Sequence, residues 1–175
     1  SSPSRGLGDV YKRQPLHVNS TDGFYQSALG ADFAWALNVA LLPFFPEVNY
    51  DSWFTIGVTD NSMGSLAGAI GLDMALASFN SGGNFVVDDP IGGSVFTLLG
   101  DANAMAGADE RVLIAQLTTA GELSGSVNVQ MFVEGLQSQS MQVLAMPIEL
   151  PQGCGDTEAC NYDPAFGPEN TAACL

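Results

Sequence analysis

Oxygen-rich loops are the chemistry this sequence offers most openly. Gly100-Asp101-Ala102-Asn103 is followed shortly by Asp109-Glu110, and Asp156, Asn161 and Asp163 form a second set near the carboxyl end. Calcium takes roughly six to eight oxygens from carboxylates, amides and carbonyls, so Asp/Asn loops with glycine are natural cages for it. Asp101, Asn103, Asp109 and Glu110 are therefore candidate ligands, as are Asp156, Asn161 and Asp163. The first loop departs from the EF-hand pattern, because Met105 stands at a ligand position and Val112 where the bidentate glutamate belongs. The competing reading of both sets is solvated loop carboxylates and turn-forming Asx residues.

Other chemistries are poorly served. A nucleophilic triad needs a base held beside the nucleophile, yet His17 is the only histidine and no G-x-S-x-G elbow occurs. There is no P-loop, no G-x-G-x-x-G opening a helix and no H-E-x-x-H. A glycosidase needs only two carboxylates, which an acidic chain can supply, so a glycan-active enzyme fragment stands as the alternative to a non-catalytic module.

The charge balance narrows the partners. Nineteen acidic residues face four basic ones, and three of those four (Arg5, Lys12, Arg13) fall in the first fourteen residues. With Arg111 the sole cation of the remainder, no basic patch can release counterions from a phosphate backbone, so nucleic acid is not an expected partner. Anionic membrane surfaces are disfavoured for the same reason. The longest apolar run, residues 33–46, contains Asn38, Pro43 and Pro46 and is too short to span a bilayer, so no membrane insertion is expected. Such a surface suits a salty, calcium-containing exterior, where charge is screened over short distances.

These groups need elements to hold them, and the period of the apolar residues predicts mostly strands. Val127, Val129, Met131 and Val133 alternate with Ser126, Asn128 and Gln130, which is the signature of a half-buried strand. Leu113, Ala115 and Leu117 offer a matching face, and the pattern predicts a central hairpin of Val112–Thr119 with Ser126–Val133 across Ala120–Gly125. Tyr50–Gly57, Phe85–Val87 and Val95–Leu99 read as further strands. Met141–Leu150 reads as a last strand whose end, at Pro147, belongs on an edge. Helices are expected over Phe24–Leu42, stopping before Pro43, and over Leu72–Phe79 with Met74, Leu76 and Phe79 partly on one side. Residues 60–71 read as a loop and Asn80–Gly83 as a turn. Trp53, Phe54, Phe85, Phe96 and Phe132 are the expected inter-sheet core. The expected class is all-β: a β-sandwich with two short helices and a small disulfide-bearing carboxyl-terminal appendage.

Three segments follow. Residues 1–14 carry most of the positive charge without periodicity, and the run SSPSRGLGDVYKRQ resembles a translated sequencing adaptor rather than a domain. Residues 15–150 form the β-domain, and residues 151–175 the acidic tail that holds all three cysteines, Cys154, Cys160 and Cys174. An odd count allows at most one internal disulfide, with pairing undecided among the three, and the clustering favours an oxidising, extracellular setting over a zinc site.

YDSWFTIG, NSGGNFVVDDPIGGSVFTL, GDANAMAGADERVLIAQLTT and SVNVQMF together resemble an uncharacterised secreted domain recurrent in marine bacterial surface proteins. That resemblance implies a location outside the cell or on its surface, neighbouring domains in a longer parent chain, and an amino-terminal truncation of the sheet. The tail, GCGDTEACNYDP, is similar to the GCTDxxACNYDP-type repeat of secreted marine proteins. The repeat closes on Asp-Asp-Gly-Ser-Cys, whereas Glu169–Cys174 here is one residue longer. The expected function is a non-catalytic surface module for adhesion, carbohydrate contact or spacing, stabilised by calcium, with a carbohydrate or a surface protein as partner.

Overall fold

The computed structural model of the chain describes residues 16–88, 92–108, 110–148 and Thr157. Residues 1–14 and almost all of the tail lie outside them. The fold is mainly β, in antiparallel sheets, with one α-helix among the described residues.

The largest sheet has four strands in the order β4-β1-β7-β8. They are β1 (Leu16–Ser20), β4 (Phe85–Val87), β7 (Leu123–Phe132) and β8 (Ser140–Pro147). Two-stranded pairs join β2 (Trp53–Phe54) to β6 (Ala115–Gln116) and β3 (Ala67–Ile70) to β5 (Ser94–Thr97). The helix, α1 (Asp73–Phe79), precedes β4.

The central hairpin expected from the sequence does not form. β7 pairs with β1 through Val18↔Gly125 and with β8 through Met131↔Met141, so both its edges are occupied. The segment before it turns instead to the Trp53 strand: Trp53 pairs with Gln116 and Phe54 with Ala115, while Thr55 and Gly57 donate to the Ile114 and Leu113 carbonyls at 2.9 and 2.8 Å. Alternation predicts which face of a strand is buried; it does not name the neighbour. Gly125, at φ +132°, passes so close to the His17 carbonyl that a Cβ would overlap it, so glycine is required where β7 crosses β1.

β1 itself, with the lone histidine, is an inner strand of this sheet. β8 lies at the sheet edge, as expected for a strand that carries Pro147, and ends there rather than running on toward Leu150, although the Ile148 amide still donates to the Gly125 carbonyl at 3.0 Å. At the β7–β8 irregularity Ala145 adopts φ +50° and donates to the Asn128 side-chain oxygen at 2.8 Å, which satisfies an amide the bulge displaces.

α1 forms close to its expected bounds and ends at Asn80, where Gly82 and Gly83 turn the chain into β4. Its buried side is carried by Ala75 and Phe79 with Leu76 packed against the larger apolar cluster, so of the expected face Met74 alone turns away, at 87% exposed. Residues 24–42 hold no α-helix. Short 3-10 turns at Ala34–Ala36 and Val39–Leu41 replace it, separated by extended residues Leu37 and Asn38. Phe33 bridges to Phe54 and the Asp32 carbonyl accepts from the Phe54 amide at 3.0 Å, which draws this segment onto the sheet instead of into a helix. The loop expected at 60–71 contains β3.

Two apolar clusters fill the body. Val18, Phe24, Phe54, Leu72, Phe79 and Phe85 belong to the larger, and Leu37, Val48, Trp53 and Val58 to the smaller. Phe79 is fully buried and meets three rings, with centroids 5.2 Å from Phe24, 5.1 Å from Phe54 and 5.8 Å from Phe85. Of the five expected core aromatics, Trp53, Phe54 and Phe85 are buried. Phe132 is half-buried, and Phe96 is 43% exposed, its ring lying across Gly68 of the facing strand.

Candidate functional site

The candidate calcium loop is held together by Asp101. Asp101 caps the 3-10 turn Ala102–Ala104, and its carboxylate accepts from the Asn103 amide at 3.0 Å and the Asn103 side chain at 3.1 Å. Its second oxygen accepts from the Thr97 hydroxyl at 2.7 Å and the Leu66 amide at 3.1 Å. The Asn103 side chain also donates to the Gly64 carbonyl at 2.8 Å, closing the loop onto the chain before β3. The Thr97 hydroxyl holds the carboxyl below the usual aspartate range; burial opposes it, and the Asn103 and Leu66 donors add to it. Donor hydrogens thus face the oxygens that a calcium ion would need, and the Asp101–Asn103 pair serves as a clamp between the start of β3 and the end of β5. Glu110 stands nearby in sequence in a left-handed conformation, φ +57°, with an exposed side chain. Asp109, Asp156, Asn161, Asp163, Cys154, Cys160 and Cys174 lie outside the described residues. Among the described residues, no group of three or more His, Cys, Asp or Glu side chains is placed to hold a metal ion.

The clamp has a pH signature. A carboxyl whose folded value is depressed stabilises the fold above the ordinary aspartate value of 3.8, and that contribution is lost as the pH falls through the depressed value. Asp101→Ala strands the Thr97, Leu66 and Asn103 donors and is expected to cost about 2 kcal/mol at neutral pH. Thermal unfolding should show the same deficit in calcium and in chelator, shrinking as the pH is lowered below 3.8. A deficit present only in calcium would make Asp101 a ligand.

A second constellation was not anticipated. Asp51, Ser52, Trp53, Phe54 and Thr55 are buried in succession and tie together segments distant in sequence. Asp51 is 0% exposed, and its carboxylate accepts from the Ser27 amide at 2.7 Å and the Ala31 amide at 2.8 Å. Gly30 lies so close that a Cβ would overlap the carboxylate. Burial pushes the Asp51 carboxyl up from its ordinary range; the Ser27, Ala31 and Ser52 amides pull it down, and the Asp32 charge adds to the rise. The Ser52 hydroxyl accepts from the Thr118 amide at 2.9 Å, and the Ser52 amide donates to the Tyr25 carbonyl at 3.2 Å.

This lacing fixes two tyrosines at the surface. The Tyr25 amide donates to the Thr118 carbonyl at 2.8 Å, so both main-chain groups of Tyr25 are held. The Gln116 side chain donates to the Asn49 carbonyl at 2.9 Å and the Asp51 carbonyl at 2.7 Å, bracketing Tyr50 from both sides. The Tyr25 and Tyr50 side chains nevertheless remain 40% and 64% exposed. With Asp22, Gly23, Phe24, Thr118, Thr119 and Ala120 they line an open depression of about 540 Å³. Its rim is stitched by Ser20 and Thr119, whose hydroxyls lie 2.6 Å apart, and by Thr21, which exchanges hydrogen bonds with Glu122. The sequence places Tyr50 at the start of an aromatic run, but nothing in it signals that Tyr25 comes alongside.

No protein-family model, curated protein or solved structure matches this chain. Among the described residues, no helix is long and apolar enough to cross a membrane.

Proposed function

We propose that the chain is a non-catalytic module that works outside the cell or on its surface, where it contacts a ligand through the Tyr25–Tyr50 face. The observation that carries this reading is the placement of two exposed tyrosines on one open depression, Tyr25 with both main-chain groups bonded and Tyr50 between two bonded neighbours. Ligand contact of this kind is favoured when the contacting groups lose little freedom on binding. Glycan hydrolysis, in contrast, requires two carboxyls roughly 5–10 Å apart on either side of the scissile bond. Asp22 is the carboxylate among the described residues that line the depression.

In this reading the β-rich body is a sandwich-type domain of a longer marine-bacterial surface protein, and the acidic tail is a Cys-bearing repeat with one disulfide among Cys154, Cys160 and Cys174. Calcium stabilisation then rests on Asp101, Asn103, Asp109 and Glu110 and on Asp156, Asn161 and Asp163 of the tail, and the comparison of calcium with chelator addresses both sets. What supports the extracellular setting is compositional: the excess of carboxylates and the confinement of cysteine to the tail.

The test is incubation of the purified chain with a panel of soluble and insoluble polysaccharides, followed by assay of new reducing ends and of protein removed from solution. Depletion without new reducing ends is expected on at least one surface or polymer. Steady release of reducing ends would overturn the module reading in favour of a glycan-active fragment.

A further inference from the structure

We infer that the Tyr25–Tyr50 depression is a binding subsite for a neutral polysaccharide chain, an assignment that rests on the module reading and names its ligand class. Hexose rings present flat C–H faces edged by hydroxyls. The matching protein surface needs an aromatic side chain that is apolar on its face and polar at its tip, together with fixed hydrogen-bonding groups. Tyr25 and Tyr50 supply the first. Asp22, exposed at the rim, supplies a carboxylate to accept from sugar hydroxyls, and the Thr118–Thr119 segment lies beside it.

Three further observations favour this ligand. The depression is open rather than enclosed, which suits a polymer that must run past the site at both ends. The Tyr25 main chain is tied to Ser52 and Thr118, and the carbonyls on either side of Tyr50 are tied to Gln116, so the backbone that carries both rings has little ordering left to do. The chain carries a formal net charge of −15, and Asp22 is at the site itself, so uronate or sulfated polymers meet repulsion where neutral glucans do not.

The probe is a soluble neutral β-glucan, with alginate oligosaccharide as the anionic comparison, titrated calorimetrically into the full chain. The neutral glucan is expected to bind, and alginate at least about tenfold more weakly at low salt. Tyr50→Ala is expected to weaken glucan binding about tenfold, and Tyr50→Phe to stay within about threefold of the parent, because the ring face is retained. Since Tyr50 is mostly exposed, its variants should melt with the parent, and their melting curves verify that the loss is local. Equal glucan affinity in the parent and Tyr50→Ala would overturn the site. Preference for alginate, or no glucan binding at all, would overturn the ligand class. None of these outcomes involves new reducing ends, so the non-catalytic reading stands or falls by its own assay.

Discussion

Phe79→Ala lowers the unfolding free energy by about 3–5 kcal/mol, the largest loss expected from a single substitution in this chain. Phe79 is fully buried at the end of α1 and contacts Phe24, Phe54 and Phe85, which belong to three different parts of the fold. Removing the ring forfeits its own burial and leaves a cavity whose walls cannot all move inward, because Phe85 is held in β4 and Phe54 in β2. Typical domains have only about 5–15 kcal/mol in reserve, so the variant sits near the margin of folding. Urea unfolding should show a lower midpoint with an unchanged slope. Met74→Ala, on the exposed side of the same helix, should change the midpoint little, within about 0.5 kcal/mol. Equal effects at the two positions would mean that the helix docks by another face.

The second large effect belongs to Asp51. Asp51→Ala leaves the Ser27 and Ala31 amides without their acceptor and is expected to cost about 3 kcal/mol. Gly30→Ala should cost about 1–3 kcal/mol, because its Cβ would overlap the same carboxylate. The double variant should be little worse than Asp51→Ala alone, since removing the carboxylate makes room for the methyl group. The pH trend is opposite to that of Asp101. A raised folded value means that the protonated carboxyl favours the fold: this contribution is complete below 3.8 and is lost as the pH rises through the raised value. The deficit of Asp51→Ala should therefore grow as the pH falls from neutrality, whereas that of Asp101→Ala holds down to 3.8 and shrinks below it. Melting temperatures of the parent and both variants between pH 3 and 8 check both signs. A parallel trend in the two variants would contradict the assignment of Asp51 as a desolvated carboxyl.

Local signals in the sequence translated well where the structure is local. The Leu72–Phe79 run, the Asn80–Gly83 turn and the Pro147 stop each rest on neighbours within a few residues, and α1, its turn and the edge strand β8 appear there. Long-range pairing was illegible. The alternation in Ser126–Val133 is real, but β7 spends its two edges on β1 and β8, one of them from the far end of the chain. β1 is hard to read because its alternation of Leu16 and Val18 with His17 and Asn19 is short and ends on Ser20, a polar residue that is buried.

The sites divide in the same way. Asp101 and Asn103 were recognisable as a loop pair two residues apart, and the structure gives that pair a hydrogen-bonding task. Asp51 reads in sequence as one more acidic residue beside an aromatic run. Its burial depends on amides 20 and 24 residues away, which no local pattern announces. Tyr25 and Tyr50 come to line one depression for the same reason, through Ser52 and the strand that follows Ile114.

The central claim is that Asp51 and its neighbours hold Tyr25 and Tyr50 in place as a ready-made ligand face. Amide-resolved NMR of the full chain, titrated with the neutral β-glucan, tests it most directly. The account predicts shifts concentrated at residues 22–25, at Tyr50 and at residues 118–120, with the amides of Ser52, Phe54 and Thr55 nearly still. Shifts that spread through the core, or that gather on the β3–β5 pair with the tyrosine face unmoved, would contradict it.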